Sequence, residues 1–126
     1  MKKIITTPNA PAPIGPYNQA ILVKDTLYIS GQIPINSATG KLIEGDIKSE
    51  TKQSMENLKA ILDEAGMDFE NVVKTSIFLK DMNQFADVNE VYSSYFNSDT
   101  APARETVEVA NLPKFVNVEI SMIAVK

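Results

Sequence analysis

The closing stretch of the chain, Val116 to Val125, alternates so that Val116, Val118, Ile120, Met122 and Ala124 share one face of a strand, while Asn117, Glu119, Ser121, Ile123 and Val125 share the other. The first face is wholly apolar, and the second is too apolar to be left fully wet. This strand therefore asks for cover on both sides. We expect helices over one face and a partner subunit over the other.

The rest of the chain supplies the layers. Ile4-Ile5 reads as a short strand. Thr7 to Pro16 holds four of the seven prolines plus Gly15, so it is an extended, packed loop. Gln19–Val23 and Leu27–Ser30 are β-rich runs separated by Lys24-Asp25-Thr26, a hairpin signal. Asn36 to Gly45 reads as a loop or irregular turn. From Ile47, apolar residues recur at Met55, Leu58, Ile61, Leu62 and Ala65, a helical stripe that starts behind Asp46 as N-cap and stops at Gly66. Val72–Leu79 is β-branched and short, hence a strand. Asp81 and Asn83 offer caps for a second helix with the face Phe85, Val88, Tyr92, Tyr95 and Phe96, ended by Asp99-Thr100-Ala101-Pro102. Arg104–Ala110 and Val116–Val125 are the last strands. The expected fold class is α+β: a mixed β-sheet with two helices packed on one face.

A chain of 126 residues is expected to form a single domain, 1–126, able to bury a core without disulfide or metal. It has neither Cys nor His, which removes thiolate chemistry, Cys-type zinc sites and the commonest metal ligand and general base. The net charge of −4 argues against a nucleic-acid partner, whose binding relies on Lys and Arg displacing counterions. Met1-Lys2-Lys3 precedes too short an apolar stretch for a secretion signal, and no run spans a membrane, so the expected location is cytoplasmic. Arg104 is the only arginine among twelve cationic residues. Where any positive charge serves, this chain uses Lys, and only a guanidinium fork can hold a carboxylate bidentately.

Taken as an antiparallel pair, the last two strands allow a register in which Glu119 lies opposite Thr106 with Arg104 diagonal to it, on the covered face. Each residue also has a plainer reading. Arg104 fits a solvent-facing or salt-bridged residue at a strand start and Glu119 a solvated carboxylate. Tyr17 fits a core aromatic with its hydroxyl on water, and Ser30 a hydroxyl satisfying a turn. No Gly-Lys-Ser/Thr phosphate loop is present, and Ser30-Gly31-Gln32 lacks the flanking glycine of a hydrolase elbow.

Five ordered blocks then carry a resemblance: Ile14-Gly15-Pro16-Tyr17-Asn18-Gln19-Ala20, Leu27-Tyr28-Ile29-Ser30-Gly31-Gln32-Ile33-Pro34, Asn89-Glu90-Val91-Tyr92, Ala101-Pro102-Ala103-Arg104 and Leu112-Pro113. Across essentially its whole length the chain resembles the reactive intermediate deaminases of the RidA or YjgF type. The resemblance implies a homotrimer whose sheets line a central barrel, a chorismate-mutase-like architecture, with clefts between subunits. It also implies hydrolysis of 2-aminoacrylate, 2-iminobutanoate and similar enamines or imines to 2-oxo acids and ammonia, with no cofactor and no metal. Arg104 matches the carboxylate-binding arginine and Glu119 the acid associated with the attacking water. Tyr17, Ser30, Gly31 and Asn89 match cleft positions. Thr106 stands where the family often has Cys, and Glu105 where it often has a small residue. An imine is already electrophilic, so water attack requires orientation and proton transfer rather than a thiol.

Other functions fit less well. A non-catalytic 2-oxo acid-binding or chaperone-like trimer would use the same clefts, but a passive carboxylate site needs Arg104 without Glu119. A ribonuclease or translation inhibitor would need acid–base groups and charge clamps that this chain barely has. A chorismate mutase, with its dicarboxylate substrate, would ask for more than one arginine.

Overall fold

The computed structural model describes residues 1–126. The elements run β1 (Lys2–Ile5), β2 (Ala20–Val23), β3 (Thr26–Gln32), β4 (Ile35–Asn36), β5 (Lys41–Leu42), α1 (Ile47–Glu64), β6 (Val72–Leu79), α2 (Phe85–Ser93), β7 (Ala103–Glu108) and β8 (Val118–Val125). Six strands form one sheet in the order β1-β2-β3-β8-β6-β7. Only β6 and β7 are parallel. The fold is α+β, with both helices on one face of a mixed sheet. Neither helix is long and apolar enough to cross a membrane.

Local chemistry explains the expected elements. Asp46 caps α1 by accepting from the Ser49 amide at 2.9 Å. At the other end Gly66 takes φ +71°, which lets the Met67 amide return to the Leu62 carbonyl at 2.9 Å. Met55, Leu58, Ile61 and Leu62 of α1 are fully buried against Leu27, Ile77, Val118 and Ile120 of the sheet face beneath. The β2–β3 hairpin closes on Lys24-Asp25, with Val23 opposite Thr26.

The proline-rich loop is organised by one side chain. Buried Gln19 accepts from the Thr7 amide at 2.7 Å and donates to the carbonyls of Thr7, Ala10 and Pro11. Prolines remove amide donors and leave carbonyls in excess, and a single carboxamide meets both needs.

Three expectations are corrected. The stretch 36–45 is not merely loop, because β4 and β5 pair there as a small hairpin. The second helix ends at Ser93, well before Asp99, and Asp81 caps a short 3-10 turn at Met82–Gln84 that leads into it. The largest correction concerns the last two strands, which do not pair. β6 lies between them: Thr106 is opposite Ile77, and Glu119 is opposite Phe78 on the other side of β6. The cause is visible in composition. β8, apolar on both faces, takes a central place between β3 and β6, whereas Ala103-Arg104-Glu105-Thr106-Val107-Glu108 is polar enough for the edge. The unit β6–α2–β7 is a strand–helix–strand crossover, the usual connection between parallel neighbours.

The other face of the sheet is open within one chain. Ile4 and Tyr28 are about half exposed there, and Ile123, Val125, Phe78 and Val107 lie on the same side.

Candidate active site

The residues expected to form one site fall into two groups on opposite faces of the sheet. The first lies under α2. Arg104, opposite Thr75 in β6, shares the helix-covered side with Thr106. Its Nη1 donates to Asn89 Oδ1 at 2.7 Å. Its guanidinium carbon lies 5.0 Å from the Tyr92 ring centroid and 5.5 Å from that of Phe85. Phe85, Asn89 and Tyr92 follow one another at four- and three-residue spacing, which sets all three on one stripe of α2. All three ion pairs of the chain involve lysines, so Arg104 has no carboxylate partner. Beside it, Tyr92, Ser93, Phe96, Ser98, Pro102 and Arg104 border a cavity of about 400 Å³. The Thr106 hydroxyl oxygen is buried and has no hydrogen-bond partner in the chain.

The second group lies on the open face. Glu119 is half-buried, and burial alone pushes its carboxyl above the usual glutamate range. Its side chain lies over Gly31: a Cβ placed there would fall 2.5 Å from Oε2, 2.7 Å from Cδ and 2.9 Å from Cγ. Only glycine permits that approach. The β3–β8 register shifts between Ile29 and Gln32, a bulge around Ser30 and Gly31 that bends the strand where Glu119 crosses it. Ser30 Oγ donates to the Asn18 carbonyl at 2.6 Å, and the Ser30 amide donates to the Gln19 carbonyl at 2.9 Å. The Tyr17 hydroxyl accepts from the Ile14 amide at 3.2 Å and keeps its own proton free to donate. Tyr17 and Gly31 line one small crevice.

Within one chain Arg104 and Glu119 are therefore not diagonal neighbours. Two strand spacings separate them, roughly 10 Å across the sheet, and they point to opposite sides. Glu105 faces away from Arg104. It is held below the usual range by hydrogen bonds to Lys74 and Ser76, the Lys74 pair being 2.8 Å apart.

A cavity of about 580 Å³ beneath the proline-rich loop is lined by none of the seven residues expected at the site. No three acidic side chains converge as metal ligands. Phe85 and Tyr92 were expected on the apolar face of the second helix, Tyr92 and Gln19 also within the blocks that carry the resemblance, and Thr75 only within a strand, none of them as a site residue. The stripe Phe85-Asn89-Tyr92 was the available signal, since Asn89 was already a candidate and its helical neighbours follow from spacing.

A model of the family described as Endoribonuclease L-PSP matches residues 7–126. A RutC family protein of Pyrococcus horikoshii is 54% identical over 126 residues, covering 100% of this chain and 99% of its own. A mouse protein named 2-iminobutanoate/2-iminopropanoate deaminase is 49% identical over 126 residues, covering 100% of this chain and 93% of its own. The structure of E. coli TdcF with bound serine superposes with a TM-score of 0.92 at 42% identity, covering 98% of each chain.

Proposed function

Because the chain belongs to the endoribonuclease L-PSP family, the YjgF/RidA group, we propose that it hydrolyses 2-imino acids, and the enamines that tautomerise to them, to 2-oxo acids and ammonia. The observation that carries this reading is the state of Arg104. Its charge is uncompensated, and only one of its five donors is engaged within the chain, so a bidentate edge is free for a carboxylate. The mouse relative's name describes this reaction, and the E. coli relative holds serine, a carboxylate-bearing amino acid.

The division of the site has a solution in assembly. We take the functional unit to be a homotrimer in which the open, partly apolar face of each sheet meets its neighbours. Arg104, Asn89 and Thr106 of one copy would then face Tyr17, Ser30, Gly31 and Glu119 of the next. In that cleft Arg104 fixes the substrate carboxylate, and a water oxygen attacks the imine carbon while the C=N π electrons move to nitrogen. Glu119 takes the water's proton. Glu119 passes that proton to the imine nitrogen, giving a neutral carbinolamine, and then accepts the hydroxyl proton as the C=O bond forms and the C–N bond breaks, handing it to the departing nitrogen, which leaves as ammonia. Burial, which pushes the Glu119 carboxyl above the usual glutamate range, makes it a better proton acceptor than a solvated glutamate. No cofactor enters the scheme.

The family description names an RNA-cleaving activity, which a chain of net charge −4 with one arginine is poorly built to perform. The direct test generates 2-aminoacrylate in situ with a dehydratase and follows oxo-acid formation. Acceleration above the spontaneous rate is expected, and its absence would overturn the proposal.

A further inference from the structure

We infer that Tyr92 is the positioning residue for Arg104, bridging the buried centre of the sheet to the guanidinium and aiming its free edge; this role in catalysis rests on the deaminase reading above. Thr75 and Arg104 are direct neighbours across the β6–β7 pair and share a face. Tyr92 reaches both. Its hydroxyl donates to Thr75 Oγ1 at 3.0 Å in the buried interior, and its ring centroid lies 5.0 Å from the guanidinium carbon. The ring itself has little freedom, being 5% exposed and packed on Phe96 with centroids 4.8 Å apart. Thr75 is wholly buried, so the anchor at the far end is fixed.

The chemistry of this support differs from that of the usual one. A carboxylate partner would hold an arginine by consuming two donors and cancelling its charge. A ring face holds it by the quadrupole and consumes none. Phe85 supplies a second ring at 5.5 Å, and Asn89 takes a single donor as a neutral acceptor. Arg104 starts from an edge strand and is exposed in the chain, where an unsupported side chain would sample many rotamers. With the aromatic pair in place, the guanidinium keeps one plane and four donors remain for an anion.

Because Arg104 is the only arginine, its Nε–H correlation in a ¹⁵N spectrum needs no assignment. In the wild type we expect that signal to be displaced by ring currents and protected from exchange with water. Tyr92→Phe should leave it in place, since the ring remains. Tyr92→Leu should move it to the position of a free arginine, and kcat/KM for the imine should fall by roughly 2- to 30-fold, mostly through KM. A purely structural role would instead reduce the amount of folded protein and leave KM alone. Phe85→Leu should give a smaller change of the same kind, and it serves if Tyr92→Leu does not fold. An unmoved Arg104 signal with an unchanged KM in folded Tyr92→Leu, or in Phe85→Leu where the former is unfolded, would overturn the inference. A wild type that does not turn over the imine would overturn the deaminase reading instead, and the spectrum would still decide whether Tyr92 holds Arg104.

Discussion

Arg104 and Glu119 project from opposite faces of one sheet, with β6 between the strands that carry them. A site using both residues must be assembled from two copies of the chain. Three copies closing a ring would supply three such sites, and sedimentation equilibrium should give about three times 13.8 kDa. Mixing provides a sharper measurement. Arg104→Ala and Glu119→Gln chains should each be nearly inactive alone, but trimers reassembled from an equal mixture should recover about one quarter of wild-type activity, since one interface in four pairs an intact Arg104 with an intact Glu119. No recovery from a well-mixed trimer would mean that the two residues do not act across an interface, and near-wild-type activity of either variant alone would mean that its residue is dispensable.

Glu119→Gln keeps the shape of the side chain and removes the proton acceptor. Turnover should fall by about two orders of magnitude or more while 2-oxo acid binding, measured by calorimetry, is retained. The pH dependence has a definite sign. The folded-state pKa of Glu119 is raised by burial, so the folded state holds this proton more tightly than the unfolded one. The associated stability is fully present below the ordinary glutamate pKa and is lost as pH rises through the higher folded value. Glu119→Gln should therefore be more stable than the wild type at neutral pH, and the advantage should vanish in denaturation curves taken below pH 4 or so.

Gly31→Ala tests how Glu119 is seated. Its new methyl would sit 2.5 to 2.9 Å from three atoms of the Glu119 side chain, so the whole side chain must swing away rather than only its end. The fold should survive, because the displaced group faces the open side of the sheet and not the core. Activity should fall about ten- to a hundredfold, read as kcat, since a base displaced by about an ångström loses its alignment to water.

Thr106→Val is expected to leave turnover within about threefold of wild type. The hydroxyl is buried and makes no hydrogen bond in the chain, so replacing it with a methyl relieves an unsatisfied polar atom and should hold or raise the melting temperature. A large loss of kcat with unchanged folding would show that the substrate itself is the missing partner of that hydroxyl.

The local features were legible in the sequence because their causes are local. Asp46 caps α1, Gly66 ends it, and the β-branched run Val72–Leu79 is the strand it looks like. The parity within each strand was readable too: Arg104 does share a side with Thr106, and Glu119 with Ser121. What alternation cannot supply is which strand lies next to which. Placing β7 beside β8 was the economical choice for consecutive strands, and it put Arg104 and Glu119 on one face. Inserting β6 between them moves the pair apart onto opposite faces, so the proposed site that uses both draws on two chains. The support of Arg104 was half legible, since Asn89 was marked but the rings beside it had been assigned only to core.

The alternation of β8 has a consequence for fidelity. Glu119 sits between Val118 and Ile120, both fully buried against the helices. If β8 slipped by one residue against β3 and β6, Glu119 and Ser121 would enter the core while Val118, Ile120 and Met122 turned outward. An unpaired carboxylate would then meet Leu58 and Ile61, at a cost of several kcal/mol on top of the lost apolar contacts. The hydrophobic neighbours of Glu119 thus fix which way it faces: a slip that would carry it from the open face into the core is also a slip that strips Val118, Ile120 and Met122 of their packing.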